Sequence, residues 1–356
     1  NERGVQGARA AEVSGDDFSV RWTGAVTPSE DGRHSFYMRA SDSAYRLWIN
    51  GELVMDTWRS EEGGPKRAEI ELQEGQTAEI RAEWRRTRAW TGFSLGWEHA
   101  DMTRRAFEEA VQMAAAADAV IFCGGHSART EGEGFDRTFA MAGDQDEFLK
   151  RICEVNERVT AVIIAGGNID MAPWHETVGA ILHAWYPGQE GGQAVAEILF
   201  GEVNPSGKLP ATFEKRLEDR SSFDCYHDED GDKHVELADG IFCGYRHFDR
   251  RGVVPRYPFG FGLSYTTFRY ENIGLSAKEI EGEEELLVSL EVTNTGHRAG
   301  AEVVQLYLSD CQSSLPRPPK ELKGFQKVML QPGETRQVHL TLRRRDLEFF
   351  DPGVNA

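Results

Sequence analysis

The spacing of apolar residues changes twice along this chain of 356 residues, and no other feature constrains its fold as strongly. Up to residue 99, apolar and polar residues alternate, as in HSFYMRA and YRLWING. From Asp101, amphipathic helical segments alternate with short apolar runs, and after Tyr270 the period of two returns. Alternation predicts strands with one buried face, whereas helices between short apolar runs predict a parallel sheet. We therefore expect three modules in the order β, α/β, β.

The first module, residues 1–99, contains no segment of helical period. Turn signals separate its apolar runs, and the clearest of them is Asn50-Gly51. Asn-Gly between two apolar runs predicts a two-residue β-hairpin, because both residues tolerate the positive φ that such a turn requires. The expected fold is a β-sandwich or barrel. Trp84 lies within an alternating strand and is predicted to be core.

The middle module carries three predicted helices, TRRAFEEAVQMAAAAD, DQDEFLKRICEVN and GGQAVAEILFG, around the apolar runs ADAVIFCGG, VTAVIIAGG and AILHAWY. Each apolar run leads into a glycine-containing loop: GGHSARTEGEG, GGNIDMAPW and YPGQEGG. In open α/β sheets, ligands bind at the carboxyl ends of the strands. We expect the chemistry of this chain in these three loops.

Charge and composition exclude several classes of function. Lys plus Arg is 40 and Asp plus Glu is 59, which gives a net charge of −19 and argues against nucleic-acid or anionic-membrane binding. No apolar run approaches the roughly 20 residues that span a bilayer. The five cysteines form no CxxC pair, and the histidines have no zinc-site spacing, so no metal or organic cofactor is expected. Scattered thiols favour a reducing compartment such as the cytoplasm, with a periplasmic or secreted location left open. Cys123, inside an apolar run, is predicted to be buried.

The first glycine-rich loop holds the most suggestive group of ionisable residues. Glu131 and Glu133 lie two positions apart, and Asp136 and Arg137 follow directly. A carboxyl group beside a second carboxylate and an aromatic ring can keep its proton near neutral pH, as a general acid must. Spacing alone favours the plainer alternative, a solvated acidic loop with one Asp–Arg ion pair.

Two tryptophans near turns of the first module, Trp58 and Trp90, lie among several arginines. An exposed aromatic ring beside polar groups can stack on a sugar, so both are candidates for substrate binding. The alternative is that they belong to the sandwich core or to a solvated basic turn.

Several long segments resemble the C-terminal half of family 3 glycoside hydrolases, which include β-glucosidases and β-xylosidases: HAWYPGQEGGQAVAEILFGEVNPSGKLPATF, GIFCGYRHFDRRGVVPRYPFGFGLSYTTF and NTGHRAGAEVVQLYLSD. The stretch FSVRWTGAVTPSEDGRHSFYMRASDSAYRLWINGELVMDTW resembles a PA14 module, which some of these enzymes carry as an insertion. The resemblance implies a PA14-like module at 1–99 without its first strand. It also implies an α/β sandwich at 101–270, incomplete at its start, and a fibronectin type III-like module at 272–356, truncated at its end. The catalytic (β/α)₈ barrel of the family has no counterpart in this chain.

The resemblance also implies a function: part of a retaining exo-β-glycosidase, chiefly a β-glucosidase acting on terminal non-reducing β-D-glucosyl residues. The stretch EGEGFDR aligns with the family's acid/base motif, so Glu133 inherits that role, and Glu131 would help to keep its proton in place. Asp136 and Arg137 would shape the loop. This chain would supply the acid/base and the aglycone-side wall of the pocket.

The expected partners are a β-glucoside or oligosaccharide and the missing barrel that carries the Asp nucleophile, and a homo-oligomer is left open. Without that barrel the chain alone is expected to be inactive. β-Xylosidase specificity and a non-catalytic carbohydrate-binding or adhesion protein are the alternatives.

Overall fold

The computed structural model describes residues 18–40, 43–58, 66–86, 93–128, 130–133, 137–225, 234–235, 238–351 and 353. The chain divides into two compact units, Asn1–Ala116 and Ala117–Ala356. Among the described residues, no helix has both the length and the apolar character needed to cross a membrane.

The first unit consists of seven strands and one helix. They are β1 (Ser19–Val26), β2 (Gly32–Ala40), β3 (Ser43–Ile49), β4 (Glu52–Asp56), β5 (Lys66–Leu72), β6 (Ala78–Arg86), β7 (Phe93–His99) and α1 (Met102–Ala116). The strands form two antiparallel sheets, in the orders β1-β6-β3-β4 and β5-β2-β7. The predicted strands and the predicted helix after Asp101 are therefore confirmed.

The core of the first unit lies between its two sheets. Alternate residues of β3 and β6 are buried there, together with residues of β2. Trp84 is 7% exposed, which confirms its predicted place in the core. The hairpin between β3 and β4 turns at Asn50 and Gly51, whose φ angles of 49° and 82° are the positive values predicted for this pair.

The second unit begins with the α/β part. Its elements are β8 (Val120–Gly125), α2 (Gln145–Val155), β9 (Val159–Ile164), β10 (Ala180–His183), α3 (Gly191–Leu199) and α4 (Tyr245–Arg251), with two short 3₁₀ helices at Leu217–Asp219 and Phe223–Cys225. The three strands form a parallel sheet in the order β10-β9-β8. Because all three run in one direction, the loops that follow them leave from the same edge of the sheet.

The second unit ends in a β-sandwich formed by β11 (Phe268–Leu275), β12 (Leu286–Asn294), β13 (Gly300–Leu308), β14 (Glu321–Leu330) and β15 (Thr335–Leu342), followed by α5 (Arg344–Leu347). The sheets β11-β12-β15 and β13-β14 enclose a core that includes Val292, Leu330 and Val338. An ion pair of 3.1 Å between Lys208 and Glu302 connects the α/β part to this sandwich. The predicted β-type end of the chain is confirmed.

One burial prediction is wrong. Cys123 is exposed, although it lies inside the apolar run of β8. Along β8 the buried Phe122 stands between the exposed Ile121 and Cys123, so one face of the strand is covered and the other is open. An apolar sequence favours burial of a strand, but it does not determine whether both of its faces are covered.

Candidate active site

The loops after β8, β9 and β10 meet at the carboxyl edge of the parallel sheet, as expected. Glu131, in the loop after β8, accepts hydrogen bonds from Gly166 in the loop after β9 and from Tyr186 in the loop after β10. Arg137 returns from the first loop to the carbonyl oxygen of Asn168, at 2.6 Å. A single carboxylate therefore connects all three strand ends.

The first loop leaves β8 through a tight turn. The Gly125 φ is +128°, and a Cβ at this position would lie 2.0 Å from the carbonyl oxygen of Ile164, so only glycine fits. The His126 N–H donates to that same oxygen at 2.8 Å. The Glu131 N–H then donates to the Ser127 carbonyl at 2.9 Å, which closes the turn just before the acidic residues.

The Glu131 carboxylate is the electrostatic centre of the loop. Its Oε1 accepts a hydrogen bond of 2.6 Å from Arg137 Nε, and its Oε2 accepts one of 2.8 Å from the Gly166 N–H and one from the Tyr186 hydroxyl. The Glu131 and Arg137 side chains are 18% and 14% exposed. A charged pair that is withdrawn from water and fully hydrogen-bonded holds its geometry firmly. The two ends of the segment 131–137 are thus tied to each other.

Burial raises the pKa of Glu131, but the hydrogen bonds from Gly166, Tyr186 and Arg137 outweigh it and hold the pKa below its usual value. Glu131 is therefore ionised at neutral pH, and its charge is compensated by Arg137. It acts as an anchor for the loop; the proton-retaining effect expected of it on Glu133 stays a prediction.

Glu131→Gln is expected to remove a pH-dependent part of the stability. Because the pKa is lower in the folded state, the contribution is present above the unfolded pKa, about 4.5, and is lost as the pH falls through the folded pKa. In urea unfolding of the chain, the free energy of unfolding of the wild type should exceed that of the variant most at neutral pH. The difference between the two free energies should shrink below about pH 4.5. The control is Glu285→Gln, whose side chain is 57% exposed beside Arg343. A difference in free energy of unfolding between wild type and Glu131→Gln that stays constant with pH would contradict the lowered pKa of Glu131.

Glu133 occupies the turn two residues beyond this anchor. It is exposed, and within the described part of the chain its carboxylate forms no hydrogen bond or ion pair. Asp136, predicted to shape the loop, lies outside the described residues, as do Gly134 and Phe135. The Glu133 carboxylate is therefore open to solvent, and its predicted acid/base role stays a prediction.

Arg137 connects the acidic loop to two main-chain carbonyl groups, those of Thr138 and Asn168. Besides Glu131 and Asn168, it donates from Nη1 to the Thr138 carbonyl at 3.1 Å. The plain alternative of a solvated loop does not describe this arginine, because it is largely buried and pairs with Glu131.

Two pockets lie beside the loop after β8, called here the anchored loop because the Glu131–Arg137 pair holds it. One, of about 310 Å³, is lined by Asn168, Trp185, Phe213 and Glu214, whose carboxylate is buried and paired with Arg220. The other, of about 360 Å³, is lined by residues at the end of β8, including Cys123 and His126. Burial, followed by the charge of Arg137, lowers the pKa of His126, so this ring is neutral at neutral pH.

The tryptophan candidates belong to the first unit. Trp58 is half-buried, and the guanidinium carbons of Arg46 and Arg85 lie 4.7 and 5.1 Å from its ring centroid. Cation–π contacts of this kind hold the ring in place. Trp90 lies outside the described residues. A sugar-binding role for either tryptophan stays a prediction.

Three members of the arrangement were not singled out from the sequence: Gly166, Asn168 and Tyr186. All three follow predicted strands within loops that were expected to carry the chemistry. Position after a parallel strand was the available signal. It does not reveal which side chain or main-chain group in each loop makes the contact.

Comparison with protein families identifies two regions. The sequence profile of the glycosyl hydrolase family 3 C-terminal domain matches residues 6–265, which include both the first β unit and the anchored loop. The profile of the fibronectin type III-like domain matches residues 302–356, within the terminal sandwich.

Individual relatives agree with these matches. A β-glucosidase from Rhizobium radiobacter is 39% identical over 355 residues, covering 94% of this chain and 43% of the relative. Thermostable β-glucosidase B from Acetivibrio thermocellus is 40% identical over 247 residues, or 69% of this chain and 32% of the relative. This chain thus spans less than half the length of these relatives.

Solved structures give the same result. The β-glucosidase from Kluyveromyces marxianus in complex with glucose superposes with a TM-score of 0.82 at 31% identity, covering 99% of this chain and 43% of that one. DesR, a β-glucosidase from Streptomyces venezuelae in complex with D-glucose, gives a TM-score of 0.68 at 29% identity, covering 94% and 42%.

Proposed function

Because the chain belongs to glycosyl hydrolase family 3, we propose that it is the C-terminal part of a retaining exo-β-glucosidase in which Glu133 is the general acid/base. One observation carries the proposal: Glu133 presents an accessible carboxylate on a loop whose ends are fixed by the Glu131–Arg137 pair. The named β-glucosidase relatives support the substrate class, a terminal β-D-glucosyl residue.

The chemistry needs a second carboxylate. In a retaining hydrolase, one carboxylate attacks the anomeric carbon while the acid gives its proton to the departing oxygen, and the acid then takes a proton from the water that releases the sugar. The two groups must lie roughly 5–5.5 Å apart. Glu133 supplies the proton-transfer group, and we assign the nucleophile to the remainder of the enzyme, in a (β/α)₈ barrel. On this proposal the isolated chain is inactive, because proton transfer alone accounts for only part of the catalysis.

The domain organisation belongs to the same proposal. Residues 1–99 form a PA14-like module, residues 101–270 form the α/β sandwich domain and residues 272–356 form a fibronectin type III-like domain. The two-sheet architecture of the first unit supports the first assignment, and the parallel sheet β10-β9-β8 supports the second.

The test is hydrolysis by the full-length enzyme that contains this chain. We expect release of glucose from an aryl β-glucoside, with the β-anomer as the first product observed by NMR before mutarotation. Faster hydrolysis of the matching aryl β-xyloside would shift the specificity to xylose. An α-anomer as first product would refute retention, and sugar binding without any hydrolysis would make the protein a binder.

A further inference from the structure

We propose that Tyr186 is a positioning residue, whose hydroxyl holds Glu131 and thereby fixes the loop that presents Glu133. The inference rests on the proposed role of Glu133 and adds a residue from a different strand end. Tyr186 donates to the Glu131 Oε2 that also accepts the Gly166 N–H at 2.8 Å, so two strand ends hold one oxygen atom. The other oxygen, Oε1, is left to Arg137.

Close packing at Gly166 supports this arrangement. A Cβ at position 166 would lie 3.1 Å from Glu131 Oε1 and 3.2 Å from Tyr186 Cε2. The absence of a side chain therefore lets the tyrosine ring and the carboxylate meet over the main chain after β9. The Gly166 main chain, the Glu131 carboxylate and the Tyr186 ring therefore meet in one contact, to which each of the three loops contributes one group.

The turn that places Tyr186 there is costly in itself. Trp185 has a φ of 55°, in the left-handed region that an aromatic residue seldom adopts. Packing maintains it, because the Trp185 ring lies against His183 and Phe213 with centroid distances of 4.6 and 6.0 Å. A strained residue that its surroundings hold in place is typical of functional sites. Here its consequence is the position of the next residue, Tyr186.

Tyr186 holds Glu131 through the hydrogen bond of its hydroxyl more than through burial of its ring. Its side chain is about half exposed, at 52%, so loss of the hydroxyl opens no cavity. Burial and the bond to Glu131 raise its pKa, so the hydroxyl keeps its proton and remains a donor. Without it, Glu131 keeps Arg137 and Gly166 but loses the constraint from the loop after β10. We expect the fold to persist while the loop of Glu133 gains freedom.

The first experiment is Tyr186→Phe in the full-length enzyme. Misplacement of a proton donor matters most when the leaving group is poor, so kcat/KM for a β-linked glucose disaccharide should fall roughly 10- to 100-fold. With an activated aryl β-glucoside, which needs little protonation, the fall should be much smaller. The matched control is Tyr265→Phe: this side chain is 46% exposed and its hydroxyl donates to the Ile198 carbonyl. Tyr265→Phe should leave kcat/KM unchanged for both substrates.

The second experiment combines Tyr186→Phe with Glu133→Gln. If Tyr186 acts through Glu133, it should have no further effect on kcat/KM once the acid is absent. An equal fall for both substrates, or an undiminished effect in the Glu133→Gln background, would overturn the positioning role and leave the proposed function intact. Normal disaccharide turnover by Glu133→Gln alone would overturn the proposed function, and this inference with it.

Discussion

Glu133→Gln in the full-length enzyme is expected to lower kcat/KM for a β-linked glucose disaccharide by roughly 10²- to 10⁴-fold, the range typical for loss of a general acid. Glutamine retains the size and polarity of the side chain but cannot give up a proton to the leaving oxygen. An aryl β-glucoside with an acidic phenol should be affected far less, because its bond breaks with little protonation. The measurement is kcat/KM across a series of aryl glucosides of increasing phenol pKa. The decrease of kcat/KM with rising phenol pKa should be steeper in the variant than in the wild type.

The matched control for this prediction is Glu157→Gln. Glu157 is also exposed, but it precedes β9 and so lies at the amino edge of the same sheet. Glu157→Gln should leave kcat/KM unchanged for every substrate. A Glu133→Gln variant that loses the same factor on every aryl glucoside would not support an acid role. It would instead indicate damage to binding or folding.

Added azide provides a second readout for Glu133→Gln. The second half of the reaction needs a base to take a proton from water, whereas the azide anion has no proton to remove. With the aryl glucoside, azide should therefore accelerate the variant and yield a glucosyl azide. Absence of that product would contradict the base function of Glu133.

The order of secondary structure could be predicted because each element obeys a local rule. Buried positions of β3 and β6 recur every second residue, and α1 and α2 carry helical patterns. The Asn50-Gly51 turn needs only the conformational tolerance of two adjacent residues. These signals are contained within a few residues of sequence, so no tertiary information was required.

Cys123 shows where local rules end. Its apolar neighbours predicted burial, but exposure of a strand residue depends on what packs against that face of the sheet. Phe122, one position earlier, is buried and Cys123 is exposed. Adjacent residues point to opposite faces, so one run of apolar residues can hold both outcomes.

The candidate site divides in the same way. Glu131 and Arg137 were singled out because both belong to one glycine-rich, acidic loop after a predicted strand. Gly166 and Tyr186 reach the same carboxylate from 35 and 55 residues away, so their roles exist only once the parallel sheet aligns three strand ends. The sequence located the loops; the pairing of groups across them required the fold.

Arg137→Met is expected to cost about 1.5–3 kcal/mol in free energy of unfolding, since it removes charged hydrogen bonds from a largely buried ion pair and leaves the Glu131 charge without its cationic partner. The Glu131 carboxylate would retain only the neutral donors Gly166 and Tyr186, and the Asn168 carbonyl would lose its guanidinium partner. Methionine keeps much of the length and apolar stem of arginine, so cavity formation contributes little. The measurement is urea denaturation of the chain, followed by tryptophan fluorescence.

The control is Arg343→Met, which breaks a pair with Glu285 whose side chains are 64% and 57% exposed. Such a surface pair is worth about 0–1 kcal/mol, so the two variants should differ clearly. If the unpaired charge is the cause, Arg137→Met combined with Glu131→Gln should be more stable than Arg137→Met alone, because Glu131→Gln removes that charge. A double variant that is less stable than either single variant would show that packing of the loop, and not the buried charge, sets the cost.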